Sequence, residues 1–369
     1  VEALLESAQA LEPMSYPPSG RIEKKEFLPV YTEQLSQRIR KGLDTFDDKP
    51  LHGIHIAVDA GNGAGGFYAK MLESLGADIS GSQFLNPDGM FPNHIPNPEN
   101  PVAIASLRDA VLQSGADLGV IFDTDCDRAA VADADGKEIN RNRLIALISG
   151  ILLEKSKGMT IVTDSVTSSG LKKYIEKHGG VHYRFKRGYR NVIDEAIRLN
   201  REGLDCPLAI ETSGHAALRE NYFLDDGMYL VTVLIVKAMQ LKQEGKSLGS
   251  LISDLEEPVE SVEIRLNITD TDFRAKGTEC IQKVLEAGEA KSDWHIAEDN
   301  REGVRISFDL GNRKESGWFL LRLSVHDPVL PLNCESDVPG GVQTTLSSLA
   351  EILRKIDGIA LDSLEKAIS

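Results

Sequence analysis

Short apolar runs alternate with amphipathic stretches over the first two thirds of the chain. The runs predict strands at 54–58, 116–122, 160–163, 182–185 and 208–210. Between them, apolar residues recur at helical spacing and predict helices over 28–43, 66–75, 102–114, 143–154, 169–178, 191–199 and 229–243. Strands and helices that alternate in this way predict tandem α/β domains, mixed but with largely parallel sheets.

The pattern changes after Pro258. Residues 262–266, 304–308 and 318–323 alternate between apolar and polar, whereas 278–286 and 344–355 have helical spacing. Alternation of this kind is typical of an antiparallel sheet with one buried face, so a small α+β domain is predicted at the C-terminus. Domain boundaries are accordingly expected at 28–156, 157–257 and 258–369. Residues 1–10 resemble the last turns of a helix, and 13–20 read as a linker.

Composition narrows the class of protein. The chain has 369 residues, enough for two to four domains, and its net charge of −16 argues against a nucleic acid or an anionic membrane as partner. The longest apolar stretch, 229–239, is too short to span a membrane and contains Lys237.

Four widely spaced cysteines without a Cys-x-x-Cys motif exclude a zinc ribbon and predict a reducing compartment, either cytoplasm or plastid stroma. Because the chain begins with Val, we expect the biological start to lie upstream, and the organelle cannot be read from this N-terminus.

The segment Phe122-Asp-Thr-Asp-Cys-Asp-Arg128 carries the strongest chemical signal. It places Asp123, Asp125 and Asp127 at alternate positions directly after a predicted strand. Three carboxylates at a strand end can converge on one hard cation such as Mg²⁺, and Arg128 can hold a phosphate beside that metal. Taken alone, the segment fits a solvated acidic turn equally well.

Two other acidic motifs were compared with this segment. An EF-hand loop needs Gly at its sixth position and Glu at its twelfth, but here those positions hold Arg128 and Ala134, so the EF-hand interpretation fails. Phosphatases with an aspartyl nucleophile also use Asp-x-Asp after a strand, with covalent chemistry on the first Asp. That interpretation stays open, with Asp123 as the nucleophile.

A glycine-rich segment, 59–66, follows the strand at 54–58. Gly61, Gly63 and Gly66 satisfy a Gly-x-Gly-x-x-Gly pattern, and Asp78 stands at the distance expected of a dinucleotide site. Phe67 occupies the position where a P-loop needs Lys, which excludes a P-loop. The alternative is a tight turn from strand to helix without a ligand.

A polar segment, Glu211-Thr-Ser-Gly-His215, follows the strand at 208–210. The carboxylate of Glu211 and the hydroxyl of Ser213 suit the hydroxyl groups of a polyhydroxylated ligand, and the imidazole of His215 suits proton transfer. A helix N-cap turn with an incidental histidine is the alternative.

Two further segments are candidate anion sites. Residues 185–191 place three cations around a glycine at a helix start, namely Lys186, Arg187 and Arg190. Arg322, Ser324 and His326 follow the last predicted strand within reach of one another, and such a trio can bind a phosphate. A solvated basic turn and a polar edge loop are the respective alternatives.

Although each motif is ambiguous alone, their order and spacing resemble the α-D-phosphohexomutase family, which includes phosphoglucomutase, phosphomannomutase and phosphoglucosamine mutase. The resemblance covers essentially the whole chain. Its most specific element is the segment at 123–128, which we call the Asp loop. Next in specificity is Glu-Thr-Ser-Gly-His215 together with the later Leu-Asp-Asp-Gly227. The loops at 123–128 and 322–333 look most like those of a plant or algal branch.

The resemblance implies a four-domain enzyme that interconverts hexose 1-phosphate and hexose 6-phosphate through a hexose bisphosphate. In the family, a phosphoserine in domain one transfers the phosphoryl group beside Mg²⁺. Carried onto this chain, Asp123, Asp125 and Asp127 would ligate Mg²⁺, while Arg128 and His215 would act in catalysis. The substrate would be bound by Glu211, Ser213, Arg190, Arg322, Ser324 and His326. Phosphoryl transfer needs charge neutralisation and in-line positioning, which such a set would supply.

Two departures qualify this implication. The family's nucleophile motif, Thr/Ala-Ser-His-Asn-Pro, does not occur in the sequence, so residues 1–27 are expected to be the remnant of domain one and a linker. Mutase activity would then need a missing N-terminal domain or another subunit, and this chain alone is expected to be inactive. In the phosphate loop, residues 322–328, the family carries Asn or Gly, then Thr, then Glu before Pro, and here those positions hold Val325, His326 and Asp327. The alternative is a catalytically inactive relative that serves as a binding or structural subunit.

Overall fold

The computed structural model describes residues 20–325 and 327–369, together with the helical residues 7 and 9. The predicted helix end at 1–10 and the linker at 13–20 therefore fall almost entirely outside the described residues. The same holds for most of the predicted remnant at 1–27 and for His326. The boundaries proposed for the domains stay predictions.

The first α/β unit builds a four-stranded sheet in the order β1-β2-β3-β4. Its elements are α1 (Leu28–Gly42), β1 (Ile56–Asp59), α2 (Gly66–Ser74), α3 (Pro101–Ser114), β2 (Leu118–Phe122), β3 (Ala129–Asp133) and β4 (Glu138–Ile139). Strands β1 and β2 are parallel, as predicted, whereas β2, β3 and β4 pair antiparallel. Strand β3 escaped prediction because its sequence is rich in alanine, which is depleted in strands.

The second unit builds a sheet in the order β6-β5-β7-β8. Its elements are α4 (Arg141–Lys155), β5 (Thr160–Thr163), α5 (Ser169–Lys177), β6 (Val181–Arg184), α6 (Tyr189–Arg201), β7 (Leu208–Ile210), β8 (Ala216–Leu218) and α7 (Gly227–Gln243). Short 3₁₀ turns occupy Arg219–Asn221 and Leu248–Ile252. Strands β5, β6 and β7 are parallel, and β8 adds an antiparallel edge.

Helix α3 shows how local sequence sets the loops near the site. The Asn100 side chain accepts hydrogen bonds from the amides of Val102 (2.9 Å) and Ala103 (3.3 Å), and Pro101 opens the helix. Such an N-cap stabilises a helix by about 1 kcal/mol. Gly115 ends the helix in the left-handed conformation, with φ of 69°. The cap fixes the end of the loop at 86–100, which is rich in Asn and Pro and precedes the helix.

Helix α7 joins the two α/β units. It packs against β2 and β3 of the first sheet and against β8 of the second. Most of its residues from Gly227 to Val236 are buried, as expected of a helix that is apolar on all sides. One hydrophobic core therefore runs through both units, from Leu35 to Ile252. Among the described residues, no helix combines the length and apolar composition needed to cross a membrane.

The C-terminal domain has its own core and a five-stranded antiparallel sheet in the order β10-β11-β12-β13-β9. Its elements are β9 (Glu260–Asn267), α8 (Phe273–Glu289), β10 (Trp294–Ile296), β11 (Val304–Leu310), β12 (Arg313–Leu321), β13 (Val329–Ser336), α9 (Gly341–Leu353) and α10 (Asp362–Ile368). The predicted fold class, tandem mixed α/β/α domains followed by a small α+β domain, is confirmed. The prediction of largely parallel sheets does not hold for the first sheet, because β3 and β4 pair antiparallel there.

A buried arginine fastens the C-terminal domain to the second unit. Arg305 donates to the carbonyls of Ser165 (2.9 Å) and Thr167 (3.0 Å), and its guanidinium lies 3.5 Å from the centre of the Trp318 ring. Carbonyl acceptors and an aromatic face satisfy a guanidinium that would be costly to bury without partners. The loop after β5 therefore lies between the two domains.

Candidate active site

The Asp loop connects β2 to β3 and is closed by Arg128. The Arg128 amide donates to Asp123 Oδ1 (3.1 Å) and its Nε donates to Asp123 Oδ2 (2.9 Å). Cys126 adopts the left-handed conformation, with φ of 70°, so the backbone curls within the loop. As a result, the carboxylates of Asp123, Asp125 and Asp127 offer oxygens that all lie within 4.8 Å of one another. This is the convergence that the sequence predicted.

The electrostatics of the loop fit a cation. Burial raises the pKa of Asp123, which is only 1% exposed, and the nearby Asp127 raises it further, while Arg128 opposes both. One oxygen of Asp127 is buried and has no hydrogen-bond partner among the described residues. A buried carboxylate oxygen without a donor is costly, and a divalent cation held by three carboxylates would satisfy it. The three Asp residues therefore fit Mg²⁺.

The glycine-rich turn supports this loop from behind. A Cβ on Gly63 would lie 2.6 Å from the Thr124 carbonyl oxygen, and the neighbouring Ala64 amide donates to that same oxygen (2.9 Å). A Cβ on Gly65 would lie 3.3 Å from the sulfur of Cys126. These glycines permit close approach of the turn to the Asp loop. The glycine-rich segment is therefore better interpreted as a tight turn than as a dinucleotide site.

We expect Gly63→Ala to weaken Mg²⁺ binding by about tenfold, the lower end of what a disturbed supporting shell costs a metal site. The added methyl group would collide with backbone, so Thr124 and the adjacent Asp residues must shift. Calorimetric titration with Mg²⁺ measures the change. Gly89→Ala is the control, because no atom lies within 4 Å of its added Cβ. Equal Mg²⁺ affinity in both variants would show that the turn does not position the loop.

The polar segment after β7 lies beside the Asp loop. A single antiparallel β-bridge pairs Arg128 with His215, and the Gly227 amide donates to the Cys126 carbonyl (3.1 Å). A Cβ on Gly227 would lie 2.8 Å from the Arg128 carbonyl carbon, so this contact also needs glycine. We call residues 211–215 the sugar loop. The backbone thus joins the Asp loop and the sugar loop directly.

Within the sugar loop, Glu211 is 4% exposed, and both oxygens of its carboxylate accept hydrogen bonds. Ser213 Oγ donates to its Oε2 (3.1 Å), and the Gly188 amide donates to its Oε1 (2.5 Å). His215 turns Nδ1 towards Asp225 Oδ2 (2.7 Å). Burial lowers the pKa of His215, but the hydrogen bond and charge of Asp225 raise it more, so the net shift is upward. The predicted trio of Glu211, Ser213 and His215 is brought together.

A fully buried carboxyl, Asp164, supports the sugar loop and was not recognised in the sequence. Its Oδ2 accepts from Thr212 Oγ1 (2.7 Å), and its Oδ1 has no partner among the described residues. Burial raises the pKa of Asp164 to about 7, and the charge of Glu211 adds to that rise. A single Asp after a strand gives no signal in sequence, because its importance depends on the distant Thr212.

The basic candidates separate into two groups. Arg190 has an 85% exposed side chain that forms an ion pair with Asp194 on its own helix (3.5 Å), and the structure does not bring it to the other site residues. Arg187 instead lines a cavity with Thr212 between the domains. Arg322 Nε is buried, and burial lowers the pKa of its guanidinium, with Arg187 adding to that effect.

Among the described residues, neither Arg187 nor Arg322 makes a side-chain hydrogen bond or ion pair. Two guanidiniums that lack such partners can bind a phosphate dianion, although the charges of Glu302 near Arg322 and of Asp164 near Arg187 oppose its binding. In the loop after Arg322, the Ser324 hydroxyl accepts from the Asp327 amide (3.3 Å), and Val325 is exposed. His326 lies outside the described residues, so its predicted contact with phosphate stays a prediction.

Comparison with known proteins places these loops in a family. Residues 29–136 match the family model for phosphoglucomutase/phosphomannomutase, alpha/beta/alpha domain II, and residues 140–259 match that for domain III. A phosphomannomutase/phosphoglucomutase from Pseudomonas putida is 30% identical over 328 residues, which are 88% of this chain and 64% of that protein. The chain thus spans less than two thirds of the length of this relative.

Solved structures agree. A phosphoglucomutase/phosphomannomutase family protein from Burkholderia thailandensis superposes with a TM-score of 0.70 at 25% identity, over 87% of this chain and 64% of that one. N-acetylphosphoglucosamine mutase from Aspergillus fumigatus, in complex with GlcNAc-6P and magnesium, shares the fold at a TM-score of 0.54 and 14% identity. That match covers 88% of this chain and 69% of the fungal one.

Proposed function

Because the chain belongs to the phosphoglucomutase/phosphomannomutase family, we propose that it forms the metal- and sugar-binding part of an enzyme that interconverts hexose 1-phosphate and hexose 6-phosphate. The observation that carries the proposal is the backbone bridge between Arg128 and His215. It places three carboxylates suited to Mg²⁺ beside a loop suited to sugar hydroxyls. An aspartyl-nucleophile phosphatase would leave that sugar loop without a role.

Each group has a distinct part in this scheme. Mg²⁺ held by Asp123, Asp125 and Asp127 would neutralise charge on a phosphoryl group during transfer. Arg128 would contact that phosphoryl group, since its guanidinium is partly exposed beside the Asp loop. Glu211 and Ser213 would accept hydrogen bonds from hydroxyls of the hexose, because the hydroxyl hydrogen of Ser213 is donated to Glu211. His215 would accept the proton of the attacking hydroxyl.

The distal phosphate would lie between Arg187 and Arg322, with Ser324 and His326 beside it. In this proposal Arg187 replaces Arg190, whose exposed side chain lies on the outer part of its helix. A phosphate held by two guanidiniums would fix the hexose between the C-terminal domain and the sugar loop. The phosphoryl donor must come from outside these residues, either from an N-terminal domain or from another subunit, and hexose bisphosphate would be the exchanging intermediate.

We expect Arg187→Ala to weaken glucose 1-phosphate binding by about 10- to 100-fold, because a hydrogen bond to a charged group contributes about 1.5–3 kcal/mol. Arg190→Ala is the matched control and should change the dissociation constant by less than about twofold, since exposed charges contribute little. Isothermal calorimetry with saturating Mg²⁺ measures both. Loss of affinity in Arg190→Ala alone would contradict the arrangement.

The alternative, an inactive relative with a binding or structural role, is favoured by Val325 in the phosphate loop, where a polar residue was expected. The denatured mass of the natural polypeptide separates the two. A mass above 40.3 kDa by one domain, roughly 100–150 residues, would supply a place for the phosphoserine. A mass of 40.3 kDa would favour the inactive relative. The plant or algal branch, the identity of the hexose and the compartment stay predictions.

A further inference from the structure

The imidazole of His215 is held on two sides. Its Nδ1 lies 2.7 Å from Asp225 Oδ2, and its ring stacks on Tyr189 with centroids 5.0 Å apart and an angle of 25° between the planes. Among the described residues, no hydrogen bond reaches Nε2. The ring therefore has one nitrogen engaged with the protein and the other left for a ligand.

The backbone fixes the carboxylate of Asp225 in turn. Its Oδ1 accepts a hydrogen bond from the Ala216 amide (3.1 Å), and a β-bridge pairs Asp225 with Ala217. With Oδ1 engaged in this way, Oδ2 faces His215. An ionised carboxylate only accepts hydrogen bonds, so the imidazole nitrogen that faces it must carry the hydrogen.

A second carboxylate lies near the ring but beyond hydrogen-bond distance, so the tautomer rests on Asp225 alone. Asp127 Oδ2 lies 3.6 Å from Nδ1, farther than Asp225 but on the same side. Nδ1 thus faces acceptors and no donor among the described residues. Asp127, His215 and Asp225 could also hold a cation together. A cation bound at Nδ1 would require that nitrogen to carry no hydrogen, whereas the hydrogen bond to Asp225 requires it to carry one. The two arrangements therefore give different ¹⁵N signals for His215.

We propose that Asp225 is a positioning residue that holds His215 as the Nδ1–H tautomer and thereby leaves Nε2 for the substrate, and that Tyr189 fixes the plane of the ring. The proposal deepens the proposed function, on which the role of His215 in proton transfer rests. As a substrate hydroxyl oxygen forms its bond to phosphorus, the bond from phosphorus to the oxygen of the phosphoryl donor would break, and that oxygen would keep the electron pair. The proton of the substrate hydroxyl would move to Nε2. The imidazolium so formed would keep its Nδ1 hydrogen bond to the carboxylate of Asp225. Tyr189 would restrict rotation of the ring by covering one face.

Asp225→Asn gives a sharp test because the two oxygens of Asp225 have different partners. The asparagine oxygen should stay with the Ala216 amide, which places the NH₂ group opposite His215 Nδ1. That nitrogen must then accept, so the ring should switch to the Nε2–H tautomer. ¹⁵N-histidine NMR of this chain without Mg²⁺, at a pH where the ring is neutral, distinguishes the tautomers. His215→Gln assigns the signal among the eight histidines.

Asp194→Asn is the matched control for the carboxylate, since Asp194 lies on the surface of α6 and pairs with Arg190. Tyr189→Leu should keep the Nδ1–H tautomer, because Asp225 sets it. An Nε2–H tautomer in the unaltered chain, or an unchanged Nδ1–H signal in Asp225→Asn, would overturn the proposal. So would a tautomer that switches in Tyr189→Leu but not in Asp225→Asn. The readout needs no substrate, so its failure is distinct from failure of the mutase proposal.

Discussion

Replacing Asp125 by Asn is expected to weaken Mg²⁺ binding by more than about 100-fold, beyond what the loss of an outer-shell partner costs. Asp125 is one of three residues whose carboxylate oxygens lie within 4.8 Å of one another. Unlike Asp123, it makes no hydrogen bond with Arg128, so its loss should remove a ligand without unfolding the loop. Calorimetric titration with Mg²⁺ gives the dissociation constant directly.

The control for this variant is Asp135→Asn. Asp135 is an exposed acid in the turn between β3 and β4, and it accepts a hydrogen bond from the Lys137 amide (2.9 Å). Asp135→Asn removes the same charge as Asp125→Asn. Its position is in the same α/β unit but away from the Asp loop. Equal Mg²⁺ affinity in both variants would mean that the carboxylates form only a solvated acidic turn.

The second large effect is expected from Glu211→Gln, which should weaken glucose 1-phosphate binding by about 10- to 100-fold. The carboxylate accepts from Gly188 and Ser213 and retains lone pairs for sugar hydroxyls. An amide of the same shape has one acceptor atom instead of two, so either a protein donor or a sugar hydroxyl would lose its partner. Calorimetry with saturating Mg²⁺ measures the loss.

Two controls test whether the loss of glucose 1-phosphate affinity is specific to Glu211. Glu202→Gln changes an exposed carboxylate that pairs with Arg198 at the end of α6, and it should leave hexose phosphate binding unchanged. Mg²⁺ affinity should also be unchanged in Glu211→Gln, because Glu211 is not among the three acids of the Asp loop. A Glu211→Gln variant with unaltered glucose 1-phosphate affinity would remove the assignment of the sugar loop.

The contiguous motifs could be predicted because their residues are neighbours in sequence. Asp123, Asp125 and Asp127 follow one strand, so their convergence needs only a local curl of the backbone. The same holds for Glu211, Ser213 and His215 after β7. The strands and helices around them were predictable because apolar spacing records which faces are buried.

Residues that act across distance could not be found in this way. Asp164 and Thr212 meet because β5 and β7 are neighbours in the sheet, which no local pattern reveals. Arg187 and Arg190 look alike in sequence. The turn at Gly188, with φ of 118°, separates them. Arg187 precedes the helix and lines the cavity, whereas Arg190 lies on the helix surface. Because sequence does not give that turn, it could not separate Arg190 from Arg187, and a role for Arg190 in substrate binding stays a prediction.

If the Asp loop and the sugar loop together bind a hexose phosphate, this chain should bind glucose 1,6-bisphosphate. The most direct measurement is calorimetric titration with that compound, with and without saturating Mg²⁺. We expect saturable one-to-one binding that weakens without Mg²⁺ and in Glu211→Gln. The absence of saturable binding at any Mg²⁺ concentration, or binding that neither Mg²⁺ nor Glu211 affects, would contradict it.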